Sequence, residues 1–135
     1  PSIVWGVLRE VLLQHHNQQP VHNEIEIDLL KSRFPNNIKA YKCCIDGHIV
    51  AAAVTFETDR VVHTQYLASN DKGREEKVLD YLIDFLINNS KKFAKIFDFG
   101  TSNENEGKFL NKGLIYQKER FGARAIVHDY YSIDL

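Results

Sequence analysis

Hydrophobic and polar positions alternate with two different periods along the chain, and each change of period marks a predicted element. Residues 2–16 carry apolar side chains at helical spacing, and Pro20 ends any continuation of that helix. Asn23 followed three residues later by Glu26 is a capping arrangement, which predicts a second helix to about Phe34. The first quarter of the chain is therefore predicted to be helical.

Three strands are predicted next, at residues 38–45, 48–58 and 59–68, and the third is rich in β-branched and aromatic side chains. Asp46 and Gly47 between the first two strands are typical of a two-residue hairpin turn. We therefore expect three consecutive antiparallel strands.

The second half of the chain predicts a helical crossover followed by mixed elements. An amphipathic helix reaches about Asn88, and residues 94–99 form a nearly all-apolar strand suited to the middle of a sheet. Residues 107–112 predict a short helix, and residues 114–120 and 123–133 predict a final hairpin. This order predicts an α/β (α+β) fold, with a mixed, mostly antiparallel sheet flanked by helices on both faces.

Length and composition indicate one globular domain. The 135 residues are 44% apolar and 26% charged, which excludes a disordered tail or a fibrous repeat. The formal net charge of −1 gives no electrostatic footprint for nucleic acid. Neighbouring Cys43 and Cys44 indicate free thiols in a reducing compartment, so we expect a cytoplasmic protein. The histidines match no zinc spacing, and no metal site is predicted.

The chain contains no methionine and begins directly in a helical pattern. We therefore expect it to be a piece of a longer protein. Within it, residues 1–135 are predicted to form a single domain.

Residues 67–75 are the first candidate for chemistry. A strand ends there, a polar loop follows, and a helix begins with free backbone N–H groups and a positive dipole end that suit phosphate. Lys72 and Arg74 would add positive charge. The alternative is an ordinary capped loop, because Ser69, Asn70 and Asp71 are all good caps.

This junction and the element order resemble the GNAT acyltransferases, in which the fourth strand and third helix flank a loop that holds the pyrophosphate of acyl-CoA. The usual loop is Gln/Arg-x-x-Gly-x-Gly/Ala, and residues 70–75 here read Asn-Asp-Lys-Gly-Arg-Glu. Gly73 is kept, whereas Glu75 stands where a small residue is usual. The resemblance implies that acetyl-CoA or another acyl-CoA is the donor substrate. The residues it assigns to that ligand are Tyr66, Leu67, Ala68, Asn70, Lys72, Gly73, Arg74 and Asn105.

Two later stretches extend the resemblance. Asn103 or Asn105, then Phe109, then Gly113-Leu114 is similar to a GNAT pattern of asparagine, aromatic and glycine. Residues 116–122, Tyr-Gln-Lys-Glu-Arg-Phe-Gly, resemble a stretch of the Fem-type branch, whose tandem halves use aminoacyl-tRNA. That branch would make this chain one half, such as the C-terminal half, of a longer protein. The resemblance makes Lys118 a candidate catalytic residue, although it could equally be an exposed hairpin lysine.

Acyl transfer to an amine needs an oxyanion donor, a base and an acid. The resemblance places the donor among the backbone N–H groups of residues 66–68. For the base, His63 and Gln65 share one strand face, Glu57 ends the previous strand, and Asp98 follows two apolar residues. A carboxylate buried at Asp98 would have a raised pKa, although it could instead anchor the next loop. Tyr116 is the candidate acid, or else a packing residue.

Three functions remain open from the sequence: an acyl-CoA N-acyltransferase, a Fem-type aminoacyl transferase half-domain, and a non-catalytic GNAT-shaped binding domain. The expected partners are a small-molecule acyl donor and an amine acceptor, with a tandem half or a second copy of the chain as further partners. Neither a membrane nor DNA is expected to bind, and tRNA is expected only for the Fem-type function.

Overall fold

A computed structural model of the chain describes residues 22–135, together with Gly6 and Arg9. The chain divides into two compact units, residues 1–100 and residues 101–135. The predicted helix at residues 2–16 lies outside the described residues, apart from Gly6 and Arg9, which are helical.

The helix α1, Glu24–Arg33, begins as its sequence predicts. The Asn23 side chain accepts a hydrogen bond from the Glu26 N–H at 2.9 Å, and the Glu26 carboxylate accepts one from the Asn23 N–H at 2.8 Å. This reciprocal capping box satisfies two donors that a helix N-terminus otherwise leaves open. The predicted capping arrangement is confirmed.

The first three strands are β1 (Ile38–Ile45), β2 (His48–Glu57) and β3 (Val61–Ser69), and they pair antiparallel in that order. Asp46 and Gly47 join β1 to β2, both with positive φ, as a type I′ turn requires. All three strands lie within about two residues of their predicted positions, because turn residues bound each of them.

The core lies on both faces of β2, whose residues from Val50 to Thr55 are all buried. On one face Ala52 and Val54 pack with Ile27 of α1. On the other face Ala51 and Ala53 pack with the helix that follows β3. Helices therefore cover both faces of the sheet, as predicted.

The helical segment after β3 is divided in two. The helices α2 (Asp71–Glu75) and α3 (Val78–Ser90) are separated at Lys77, which adopts the left-handed conformation with φ 54°. The prediction of one continuous helix is therefore wrong at this point. The amphipathic face itself is confirmed, because Leu82 and Leu86 of α3 are buried against β2.

The strand β4, Ile96–Asp98, pairs parallel with β3 and completes a four-stranded sheet in the order β1-β2-β3-β4. Among the described residues it is an edge strand, and Ile96 is 53% exposed. The prediction that an apolar strand here lies in the middle of the sheet is wrong in that part of the chain, because an apolar run does not distinguish a central strand from an edge strand.

The unit at residues 101–135 differs most from its prediction. The short strands β5 (Asn103–Glu104) and β6 (Phe109–Leu110) pair antiparallel, and the helix α4 spans Lys112–Arg120. The predicted helix at 107–112 and the predicted strand at 114–120 are therefore wrong. Residues 123–135 form no helix or strand, so the final hairpin is wrong as well. Asn111 explains the helix, because its side chain accepts from the Leu114 N–H at 3.0 Å and caps α4.

Searched over its described residues, the structure contains no helix long and apolar enough to cross a membrane.

Candidate functional site

The strand β3 carries a β-bulge at Gln65. Val54 pairs with Tyr66 and Thr55 pairs with Thr64, so one step along β2 corresponds to two steps along β3. A bulge of this kind bends its strand and changes the direction of the side chains around it, and such bulges are common beside active sites. The bulge lies within the stretch that carries the predicted base His63 and the predicted cofactor residue Tyr66.

His63 and Asp98, two of the predicted catalytic residues, are in direct contact. His63 Nδ1 lies 2.8 Å from Asp98 Oδ2, and the two residues are paired in register across β3 and β4. The second carboxylate oxygen, Oδ1, accepts from the Gly100 N–H at 2.8 Å. Because an ionised carboxylate only accepts hydrogen bonds, the proton of a neutral His63 ring sits on Nδ1 and leaves Nε2 as the acceptor.

Asp98 is not buried, contrary to the prediction. Its side chain is 48% exposed, and that of His63 is 32% exposed. Asp98 occupies the last position of an edge strand rather than the middle of the sheet, which is why an apolar run before it did not bury it. The carboxylate therefore orients and supports the imidazole, and the imidazole is the group suited to accept a proton.

Gln65 completes a row of three side chains. His63 Nε2 lies 3.1 Å from the Gln65 side-chain oxygen. The Gln65 amide can present its oxygen to a protonated ring and, after turning over, its NH₂ group to a neutral ring. The row Asp98–His63–Gln65 can therefore accommodate either protonation state of the histidine.

The row lies where the two parallel strands cease to pair. The register between β3 and β4 ends at His63 and Asp98, while β3 continues to Ser69. The Thr64 hydroxyl donates to the Asp98 carbonyl at 3.2 Å and closes the paired segment. A proton acceptor thus stands at the end of the paired segment, next to a bulge.

The predicted cofactor loop is tightly held by its own side chains. Asn70 caps α2, because its side-chain oxygen accepts from the Gly73 N–H at 2.9 Å, and its side-chain nitrogen donates to the Ile49 carbonyl at 3.1 Å. Gly73 is buried, and a Cβ there would overlap the Val50 carbonyl oxygen. Packing against β2 therefore accounts for the retained glycine.

The charged residues of this loop form ion pairs on the surface of α2. Lys72 lies 3.2 Å from Glu76, and Arg74 lies 3.0 Å from Asp71. Glu75 is exposed on the same short helix. The assignment of Lys72 and Arg74 to a ligand stays a prediction, in which both residues would exchange a neighbouring carboxylate for a phosphate.

The remaining predicted site residues lie in the unit at 101–135. Tyr116 is on α4 and is 65% exposed, and Asn105 is a turn residue with φ 51°. Lys118 donates to the Thr101 carbonyl at 2.8 Å and so ties α4 to the start of this unit. Gly122, with φ 90°, donates to the Glu119 carbonyl at 2.9 Å and ends α4. Residues of the Fem-like stretch thus have local structural roles, and the link to that branch stays a prediction.

Glu57, another candidate base, is buried, and both of its carboxylate oxygens contact neighbouring side chains. Its Oε1 accepts from the Thr55 hydroxyl at 2.8 Å and from the Tyr41 hydroxyl at 3.0 Å, and its Oε2 forms an ion pair with Lys39 at 2.9 Å. Burial, followed by the charge of Glu57, raises the pKa of Tyr41 to about 12. Residues two apart on a strand share a face, so Lys39 and Tyr41 on β1 face the same way as Thr55 and Glu57 on the paired strand β2. This spacing is the sequence signal that could have indicated the cluster.

A contact between His22 and Tyr66 has no counterpart among the sequence predictions. His22 Nδ1 lies 2.8 Å from the Tyr66 hydroxyl. Its backbone N–H also donates to that hydroxyl at 3.1 Å. No sequence signal links two residues that lie 44 positions apart. Over the part of the chain that the structure describes, no group of three or more His, Cys, Asp or Glu side chains could hold a metal ion.

Solved structures share this arrangement of elements over nearly the whole chain. A possible acetyltransferase from Clostridium difficile 630 has a TM-score of 0.70 and 10% identity, over 99% of this chain and 90% of its own. An acetyltransferase from Trypanosoma brucei has a TM-score of 0.65 and 18% identity, over 100% of this chain and 95% of its own. A GNAT family acetyltransferase from Elizabethkingia anophelis, solved with acetyl-CoA bound, has a TM-score of 0.56 and 14% identity, over 87% of this chain and 69% of its own.

The similarity is one of structure, since no known family profile and no curated protein sequence matches the chain. Its mixed, mostly antiparallel sheet, with helices on both faces and a parallel strand added after a helical crossover, is the arrangement of these acetyltransferases. The chain therefore has the GNAT fold.

Proposed function

We propose that this chain is an N-acyltransferase that moves an acyl group, such as acetyl, from acyl-CoA to an amine. The observation that carries the proposal is the Asp98–His63–Gln65 row, which sets a proton acceptor where β3 and β4 stop pairing. The acetyl-CoA bound in the Elizabethkingia structure of the same fold supports the choice of donor. The row supplies the base that an amine nucleophile needs. An amine needs this base whichever acyl donor is used.

The proposed reaction is a direct attack of the amine on the thioester carbonyl. Once the Gln65 side chain has turned away from Nε2, His63 Nε2 accepts the proton of the amine as the new C–N bond forms. Asp98 stabilises the resulting imidazolium through Nδ1–H. A backbone N–H among residues 66–68 is the assigned donor to the carbonyl oxygen, which becomes an oxyanion. Each step uses a residue of the bulged strand or of its parallel partner.

Calorimetric titration with acetyl-CoA tests the binding half of this proposal. We expect saturable binding, and the same titration with His63→Ala should change the affinity by less than about twofold, because the imidazole acts on the amine. Absence of saturable binding at millimolar acetyl-CoA would contradict the proposal.

Turnover tests the chemical half. Release of CoA thiol is measured with ethylamine, glucosamine, spermidine and lysine as acceptors. His63→Ala should lower kcat by about 100-fold or more, the usual contribution of a general base. His48→Ala is the matched control, because His48 is exposed at the start of β2, away from the row, and should leave kcat unchanged. Equal losses in the two variants would refute the assignment of the base.

A further inference from the structure

The bulge at Gln65 changes which side chains of β3 share a face of the sheet. His63 is paired with Phe56, and Tyr66 is paired with Val54. Because Phe56 and Val54 are two positions apart on β2, they lie on the same face, and both belong with Tyr66 to one apolar cluster. His63 and Tyr66 therefore lie on one face, although three positions of a regular strand would put them on opposite faces.

The Tyr66 hydroxyl on this face is held by His22. The His22 backbone N–H donates to the hydroxyl oxygen at 3.1 Å, and the His22 Nδ1 lies 2.8 Å from the same oxygen. The His22 ring also packs edge-on against Tyr66 and Phe56, with centroids 6.1 and 6.2 Å away. Two hydrogen-bond contacts and one ring contact from His22 therefore hold the phenol on the face that carries the proposed base, and the contact with Phe56 holds the His22 ring in turn.

The proposed acyl transfer still requires a proton for the leaving thiolate. We infer that Tyr66 is the catalytic proton donor to the leaving sulfur and that His22 is a positioning residue that holds its hydroxyl. This inference rests on the proposed function, and it gives Tyr66 the role that the sequence suggested for Tyr116. It also makes His22, the residue before the Asn23 cap of α1, part of the site.

The step balances in protons and electrons with His63, Tyr66 and solvent as its proton carriers. The amine nitrogen bonds to the carbonyl carbon and loses its proton to His63 Nε2. The C–S bond breaks with its electron pair on sulfur, and the Tyr66 hydroxyl gives its proton to that thiolate. Solvent returns the proton from His63 to the tyrosinate, so the net change is amine plus thioester to amide plus thiol.

A comparison of two acyl donors tests this role, because only one of them has a leaving group that needs a proton. Acetyl-CoA releases an alkyl thiolate, whereas 4-nitrophenyl acetate releases a stabilised phenolate. The acceptor is whichever of ethylamine, glucosamine, spermidine and lysine the wild-type chain acetylates fastest. Tyr66→Phe should lower kcat with acetyl-CoA by about 100-fold, with little change in KM, and with 4-nitrophenyl acetate by less than about fivefold.

His22 variants separate positioning from folding. His22→Asn keeps a side-chain oxygen or nitrogen near the position of Nδ1 and should retain most of the acetyl-CoA activity, whereas His22→Ala should lose about tenfold. Tyr81→Phe is the matched control, because Tyr81 is an exposed tyrosine of α3, and it should behave as the wild type with both donors. If Tyr66→Phe does not fold, judged by its thermal melt, His22→Ala compared on the two donors decides the question.

The outcomes distinguish the two proposals. If the wild-type chain acetylates none of the four amines, the proposed function and this inference both fail. If it acetylates one of them, and Tyr66→Phe loses as much activity with 4-nitrophenyl acetate as with acetyl-CoA, or loses none with either, only the role of Tyr66 is overturned. A loss confined to acetyl-CoA supports the inference.

Discussion

Replacement of Gly73 by alanine tests whether this glycine serves packing or ligand binding. The added Cβ would overlap the Val50 carbonyl oxygen and come within 3.2 Å of the Ser69 Cβ. The carbonyl cannot turn aside, because it accepts a hydrogen bond from the Asn70 N–H at 3.0 Å within the joint between β3 and α2. Relief of the overlap therefore requires α2 to move off β2 or Asn70 to lose its bond. Overpacking of this kind costs about 1–3 kcal/mol.

Thermal unfolding followed by circular dichroism measures this cost. For a chain of this size, about 3 °C or more of Tm is lost for each kcal/mol, so we expect Tm to fall by about 3–10 °C. Gly113→Ala is the matched control. Gly113 also lies in a helix, but a Cβ there would meet only Asn111 Oδ1 at an ordinary 3.6 Å. Alanine should stabilise that helix by about 0.5–1 kcal/mol.

The two substitutions should therefore move Tm in opposite directions. The packing argument is refuted if Gly73→Ala melts at or above the wild-type temperature. If it melts normally and yet loses binding of acetyl-CoA, the glycine is present for the ligand, as the GNAT loop pattern implies. A variant that melts lower and binds acetyl-CoA normally well below its Tm confirms that the glycine is a packing residue.

Three further substitutions probe the site and its surroundings. Asp98→Asn should lower kcat by about 10- to 100-fold and leave acetyl-CoA affinity unchanged, because Asp98 orients His63 through the Nδ1 proton. The loss is limited because the Asp98 side chain is half exposed. An unchanged kcat would contradict the proposed pair. Glu75→Ala should strengthen acetyl-CoA binding by up to about fivefold in calorimetry if α2 faces pyrophosphate, while Asp84→Ala on α3 should not; no change would indicate that α2 points elsewhere. Because the pKa of Tyr41 is raised to about 12 from 10.0, its neutral form contributes stability that is complete below pH 10 and is lost as the pH rises toward 12; Tyr41→Phe should flatten the fall of Tm over this range, and parallel curves would refute the effect.

Elements with strong local signals were predictable from the sequence. The capping box at Asn23 and the Asp46-Gly47 turn each place a boundary through a specific hydrogen-bond or backbone requirement, and α1, β1 and β2 follow from them. Side chains from Ala51 to Val54 point alternately to the two faces of the sheet, and so pack alternately against α3 and α1, as the period of a strand requires. These features depend on residues only a few positions apart, which is why one sequence suffices to find them.

The prediction for residues 101–135 is wrong because two glycines have other roles than their positions in the sequence suggest. The predicted helix at residues 107–112 stops before Gly113, whereas Gly113 lies inside α4, two residues after the capping Asn111. The predicted hairpin would turn between residues 120 and 123, whereas the left-handed conformation of Gly122 ends α4 there. The cap and the final glycine were both visible in the sequence, and the apolar positions between them fit a strand or a helix over so short a segment.

The candidate site shows why single residues can be proposed from a sequence more readily than their arrangement. His63 and Asp98 were each predicted as catalytic on the basis of residue type and strand position, but their contact joins residues 35 positions apart and depends on the register of a parallel pair. Tyr66 is predicted only as a ligand-binding residue near the backbone N–H donor that the GNAT resemblance implies. In a regular strand its side chain would point away from the His63 face. One extra residue at Gln65 reverses that direction and brings phenol and imidazole to the same face. A one-residue bulge cannot be recognised from the alternation of apolar and polar residues in a single sequence. The roles proposed for Tyr66 and His22 therefore depend on the observed register of β2 and β3.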